Sequence, residues 1–226
     1  MKKWLESLVG LIWPARCPSC GVEVPRHGSW CERCVSEVWA MRELSLGKGS
    51  PLSRLVALTH YRGGVKVVLR DMKFRGKRKD ALCLSSLLTR VPARALVGDV
   101  DCVVPVPISE AKRRVRGFNQ TELLFEDWTR SNGFIWHADA LLRVRDTEAQ
   151  WKLSKRERKA NLVDAFSIAD EAVVRGKRVL LVDDIYTTGA TMEVCATLLL
   201  TAGALSVSGL VMASETEKKN GIRRKK

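Results

Sequence analysis

The chain has 226 residues, 46% of them hydrophobic and 28% charged, which excludes a disordered or collagen-like protein. At about 150 residues per domain, that length points to one full domain and a small extra module. Thirty-nine Lys and Arg against 25 Asp and Glu leave a formal charge of +14, a field that attracts nucleic acid, anionic lipid or a phosphorylated substrate without choosing among them.

No run approaches the ~18 apolar residues of a transmembrane span. Trp4, Leu5, Leu8, Leu11 and Ile12 recur at helical spacing, predicting a short amphipathic helix packed on the protein. The alternatives are a signal peptide or a surface anchor, but Glu6 interrupts the apolar stretch and Pro14-Ala15-Arg16-Cys17 is a poor cleavage site. The cytoplasm is therefore the expected location.

Two Cys-x2-Cys pairs follow, Cys17 with Cys20 and Cys31 with Cys34. Four thiolates match the tetrahedral shell of a structural Zn²⁺, with disulfides or an iron–sulfur centre as the alternatives. A secreted disulfide scaffold needs denser cysteine and an export signal. His27 lies between the pairs as a bystander, His60 and His137 carry no assigned chemistry, and Cys83, Cys102 and Cys195 sit among apolar neighbours as core residues.

Beyond a Gly/Ser/Pro-punctuated linker at residues 46–51, residues 55–61 read as a strand. Two helices follow, on Val65, Val68, Leu69 and Met72 and then over Ala81–Leu88. Further strands are predicted at 101–104, 178–182 and 206–213, and further helices at 121–130 and 193–202. Alternating short apolar strands and helices imply an α/β fold, a mostly parallel sheet flanked by helices. The expected division is an N-terminal helix and cysteine module (1–45), a connecting segment with a basic cluster (46–98), the α/β domain (99–214) and a basic tail (215–226). Between Tyr61 and Lys79 lie eight bases and one acid, with Tyr61 and Phe74 interleaved. Lys73, Arg75, Lys77 and Arg78 are thereby candidates for single-stranded DNA, which is gripped by cations and stacking aromatics.

The most informative stretch is Val179-Leu180-Leu181-Val182-Asp183-Asp184-Ile185-Tyr186-Thr187-Thr188-Gly189-Ala190-Thr191. Ligands of a parallel sheet bind beyond the carboxyl ends of its strands, and the two acids are expected at such an end. The threonines and Gly189 then enter a helix whose N–H groups make a phosphate cradle. Two carboxylates beside a phosphate demand hydroxyls or a cation, a condition that a ribose diol and Mg²⁺ satisfy. A receiver domain carries its acids near its start, whereas these lie late in the chain. A P-loop needs Gly-x4-Gly-Lys-Ser/Thr, which is absent.

This stretch resembles the phosphoribosyl pyrophosphate (PRPP) loop of type I phosphoribosyltransferases. The resemblance narrows to the competence protein F (ComF) branch through Val104-Pro105-Val106-Pro107, Arg113-Arg114-Val115-Arg116-Gly117-Phe118-Asn119-Gln120, Thr147-x2-Gln150, Arg158-x2-Asn161, Ala165-Phe166 and the cysteine module. It implies a type I phosphoribosyltransferase-like domain behind a zinc module. Asp183 and Asp184 then meet the ribose hydroxyls, and Thr187, Thr188, Gly189, Ala190 and Thr191 the 5′-phosphate. Arg113, Arg116 and Gly117 meet the pyrophosphate, Mg²⁺ accompanies PRPP, and Asp183, Asp184 and Arg116 become the catalytic candidates. Gln150, Arg156 and Arg158 fall where such enzymes keep a loop over the site. The resemblance further implies a role in DNA uptake beside a helicase and the uptake machinery. Two alternatives stay open: a non-catalytic single-stranded-DNA-binding factor, and a transferase of nucleotide metabolism with an unknown acceptor. The acceptor itself is not legible.

Overall fold

The computed structural model describes residues 14–90, 92–145 and 164–215. The N-terminal helix expected at residues 4–12, the loop residues Gln150, Arg156 and Arg158, the motif positions Thr147 and Asn161, and the tail from residue 216 lie outside them.

The chain first forms helix α1 (Glu32–Val38) and strand β1 (Trp39–Glu43), then β2 (Arg54–His60), α2 (Gly63–Arg75), α3 (Ala81–Leu88) and α4 (Ala93–Val97). Strand β3 (Cys102–Pro105), α5 (Glu110–Arg116), α6 (Gln120–Ser131), β4 (Ile135–Trp136) and β5 (Leu141–Arg143) follow. The described chain ends with β6 (Phe166–Ile168), β7 (Arg178–Tyr186), α7 (Ala190–Thr201) and β8 (Ser206–Ser214). Six strands form one sheet in the order β1-β2-β8-β7-β3-β4, and β5 pairs with β6 apart from it. Every pairing in the large sheet is parallel except β1 with β2. The mostly parallel α/β sheet is thus present, and it reaches back through β2 to an antiparallel edge at Trp39.

Side chains of a strand alternate between the two faces of its sheet, and two apolar layers follow from that alternation. Val56, Leu58, Val103, Leu180, Val182, Leu210 and Met212 face the cluster with α2, α3, α4 and α6. Leu55, Ala57, Cys102, Val104, Val179, Leu181, Val207 and Val211 face the cluster containing α7, Leu141 and Phe166. Buried on both sides, the central strands are near-continuous apolar runs, as a parallel sheet requires. Burial pushes the thiols of Cys83 and Cys102 up to about 11 and that of Cys195 higher still, so all three stay protonated core groups.

The sequence places the end of β7 at Val182, but the strand continues to Tyr186. The reason is asymmetric pairing. On one side β8 accompanies it through Tyr186↔Ser214, while on the other β3 stops at Pro105↔Val182. Pro105 and Pro107 have no N–H for a ladder, and the chain leaves the sheet after the Val106 N–H donates to Val182 O at 2.9 Å. From Asp183 onward β7 therefore has one open edge. At the opposite end Asp101 fixes the β3/β7 register, accepting from the Arg178 backbone N–H at 2.8 Å and from its guanidinium at 2.8 and 3.1 Å.

Candidate functional site

The open edge of β7 borders a cleft of about 150 Å³. Alternation sends Asp183 the way of Val179 and Leu181, and Asp184 the way of Leu180 and Val182, yet both line this cleft with Thr191. Asp183 Oδ1 accepts from the Asp184 N–H at 2.8 Å and from Thr121 Oγ1 at 3.4 Å. Burial, then the adjacent Asp184 carboxylate, push Asp183 well above the ordinary carboxylate range. The Asp184 N–H and the Thr121 hydroxyl relieve this crowding only in part.

Between the acids and α7, the chain turns at Gly189, whose φ of 82° lies in the left-handed region. Thr187 and Thr188 are exposed on this turn, and Gly189 is buried beneath the Tyr186 ring. A Cβ at Gly189 sits 2.9 Å from two ring carbons. Gly189→Ala is therefore expected to cost about 1–3 kcal/mol, from positive φ and overpacking together. Urea denaturation checks this, and an unchanged midpoint rejects the contact.

The basic turn arrives from the other side. Ser109 caps α5, its Oγ accepting from Lys112 N at 3.3 Å, and Gly117 ends the helix at φ 80°. Asn119 then caps α6: its Oδ1 accepts from Thr121 N at 3.0 Å, while its Nδ2 donates to Val106 O at 3.1 Å. That bond ties the start of α6 to the chain leaving β3. Lys112 and Arg116, one helical turn apart, line the cleft. Arg113, expected there, pairs instead with Glu122, and Arg114 pairs with Glu110.

Lys73 and Arg143 complete the cationic wall. Lys73 belongs to the basic cluster read for DNA, but α2 carries it into the cleft beside the acids. Its expected companions go elsewhere. Arg75 and Lys77 pair with Asp71 at 3.4 and 2.6 Å and hold that carboxyl below its usual range, while Arg78 lines a separate hollow beside the cysteine module. Arg143, at the end of β5, carries no sequence signal. Its guanidinium lies over the Phe166 ring at 5.3 Å.

The second constellation is the cysteine quartet. A turn at Gly21 (φ 75°) brings the Gly21 N–H to Cys17 O at 2.9 Å, and Cys31 caps α1, placing Cys34 in its first turn. The four Sγ atoms all lie within 4.8 Å of one another. Those of Cys20 and Cys31 are 3.6 Å apart, near the ~3.8 Å edge of a tetrahedron with Zn–S bonds of about 2.3 Å. Burial raises the Cys17 thiol, but backbone N–H groups of Cys20, Cys31 and Ser19 outweigh it, to about 6. Burial and the other three sulfurs push Cys34 up to about 12. One thiolate forms readily and the fourth only around a cation, so the donor set fits a closed, structural Zn²⁺ site.

Sheet, acidic strand end and cysteine cluster together define a phosphoribosyltransferase-like α/β protein with a zinc module. The family described as phosphoribosyl transferase domain matches residues 142–225, and that described as double zinc ribbon domain matches residues 8–54. The DNA utilization protein YhgH of Escherichia coli strain K12 is 35% identical over 195 residues, spanning 84% of this chain and 80% of the relative. Competence protein ComFC of Bacillus subtilis strain 168 is 30% identical over 209 residues (92% and 80%), and competence protein F of Haemophilus influenzae 28% over 204 (87% and 84%). The chain belongs to the ComF/YhgH family. Among the described residues no helix is long and apolar enough to cross a membrane.

Proposed function

We propose that the cleft binds PRPP together with Mg²⁺, and that the protein serves DNA uptake or processing in natural transformation. The supporting observation is convergence: two adjacent acids at the open edge of β7, one crowded by burial and by its neighbour, share a cleft of about 150 Å³ with Lys73, Lys112, Arg116 and Arg143. A ribose diol bound with a divalent cation relieves the acids, and phosphate groups answer the four bases. Asp183 and Asp184 take the ribose hydroxyls and the waters of Mg²⁺. Thr187 through Thr191 and the first N–H groups of α7 take the 5′-phosphate, while Arg116, beside Gly117, takes the pyrophosphate. Mg²⁺ supplies charge neutralisation on the pyrophosphate.

In a transfer reaction the bond from C1 to the pyrophosphate oxygen breaks as a nitrogen nucleophile bonds to C1, and Arg116 stabilises the departing charge. The link to DNA rests on the relatives named for DNA utilization and competence; a helicase and the uptake machinery are the proposed partners. Calorimetry with PRPP and Mg²⁺ tests the binding, and pyrophosphate release over a panel of bases and amines tests the turnover. We expect saturable heat at one site per chain. Heat without release makes the protein a PRPP-binding factor; no heat rejects the reading.

A second reading is favoured by Phe74, which is 73% exposed with the Lys73 ammonium 5.8 Å from its ring. A single strand of DNA stacks a base on such a ring while its phosphates enter the basic cleft. Fluorescent single-stranded DNA titrated at two salt concentrations, with PRPP as competitor, separates the two ligands.

A further inference from the structure

Gln120 is the most connected side chain at the cleft that neither the acidic loop nor the basic turn explains. It is 3% exposed, yet both ends of its amide are engaged by different elements. Its Nε2 donates to the backbone carbonyl of Leu69, in the middle of α2, at 3.1 Å. Its Oε1 accepts from Arg116 Nη1, also at 3.1 Å. A neutral primary amide offers a donor and an acceptor in one plane without a charge. Glutamine at the first position of α6 therefore clamps a helix from one segment to a guanidinium from another.

The clamp has a direction. Leu69 and Lys73 are one helical turn apart, so the Leu69 carbonyl that receives Gln120 belongs to the turn that carries Lys73 into the cleft. On its other side the side chain of Arg116, the last residue of α5, just before Gly117, is steered by the amide oxygen. The next residue, Thr121, reaches Asp183 at 3.4 Å. One short stretch thus meets α2, the basic turn and the acidic strand.

We infer that Gln120 is a positioning residue: it holds Arg116 and the Lys73-bearing turn of α2 in mutual register, so that both cations address one phosphorylated ligand. The inference deepens the PRPP reading and rests on it. Gln120 itself lines the cleft, but its role is to set Arg116 and α2 rather than to supply charge to the ligand.

The test is a double-mutant cycle on PRPP affinity, measured by calorimetry with Mg²⁺ on the full chain. Arg116→Ala and Gln120→Met are compared singly and together, methionine being of similar length without the amide's two functions. Gln120→Met is expected to weaken binding about tenfold, the loss of a buried, charge-linked hydrogen bond. In the Arg116→Ala background the same change is expected to cost clearly less, about threefold, because the Arg116 arm of the clamp is gone while the arm to the Leu69 carbonyl remains. Additive losses, or a Gln120→Met protein that binds as the parent does, overturn the inference while leaving PRPP binding intact. Absence of binding by the parent overturns the PRPP reading, and this inference with it. Should Gln120→Met melt early, Gln120→Asn serves in its place: it keeps the polarity but is one methylene too short to span both partners, and the same non-additivity is expected.

Discussion

Replacing Asp183 by Asn is expected to weaken the proposed PRPP binding and to stabilise the unliganded protein. The two effects share one cause. In the folded state Asp183 is crowded by burial and by Asp184, so its carboxyl resists ionising there more than in the unfolded chain. A folded-state value raised above the unfolded one means that the native state loses stability as pH rises from about 4, the unfolded value, through the folded value. Asparagine keeps the shape and can still accept the Asp184 N–H, but carries no charge to destabilise the fold. The variant is expected to melt above its parent at pH 8. Near pH 4, with the carboxyl protonated in both states, the difference disappears. If the cleft binds PRPP as proposed, PRPP with Mg²⁺ is expected to reverse the ranking, because a ligand stabilises most the protein that binds it best. Binding by the variant is expected to fall by about 100-fold, the loss of charge-assisted bonds to a diol. Melting curves at the two pH values, with and without ligand, check all of this. A variant that melts below its parent at pH 8 contradicts the crowding, and one that still binds PRPP removes the carboxylate from the site.

The parts of this site that sequence exposes are those encoded locally. The unbroken apolar run of residues 179–182 marks a strand buried on both faces, and two acids after it mark the end of such a strand whatever the rest of the fold does. How far β7 runs is not local, since it depends on β8 continuing and on the prolines of the next strand leaving. The antiparallel edge strand at Trp39–Glu43 is hidden for a similar reason: five residues directly after a helix show too little alternation to stand out. Among the bases, helical spacing does carry a signal. Lys112 and Arg116 are four apart and share the cleft face, whereas Arg113 and Arg114 are turned toward Glu122 and Glu110. Lys73 and Arg143 reach the site from distant segments, and nothing in their neighbourhoods announces it. A charge run is read by proximity in sequence, but α2 turns Lys73 away from Arg75, and Lys77 beyond the helix folds back onto Asp71.

Stripping the metal from the cysteine quartet is expected to lower the melting temperature by on the order of 10 °C and to open the first described residues to protease. The module has almost no core of its own: its buried cluster comprises Cys17, Val24 and Cys34, with Ala15, Trp30 and Cys31 packed around them. So small a unit depends on its ligand for folding. Its loss spreads because the module is keyed into the domain. Trp30 Nε1 donates to Cys83 O at 2.6 Å, and Ser86 Oγ to Gly28 O at 3.1 Å. A Cβ on Gly64, in the first turn of α2, would lie 2.6 Å from Ser19 Cβ and 2.7 Å from Trp30 Cζ3, so knuckle and helix touch backbone to side chain. Val35 and Val38 of α1 already belong to the main core. Unfolding the knuckle therefore uncovers the faces of α2 and α3 that it seals, at about 25 cal/mol for each Å² of apolar surface. Cys34→Ser reproduces the loss without a chelator, whereas Cys83→Ser, outside the tetrad, leaves one metal ion per chain. Metal content by mass spectrometry and melting by circular dichroism read the two outcomes, and a chelated protein that melts where the untreated one does denies the quartet its structural role.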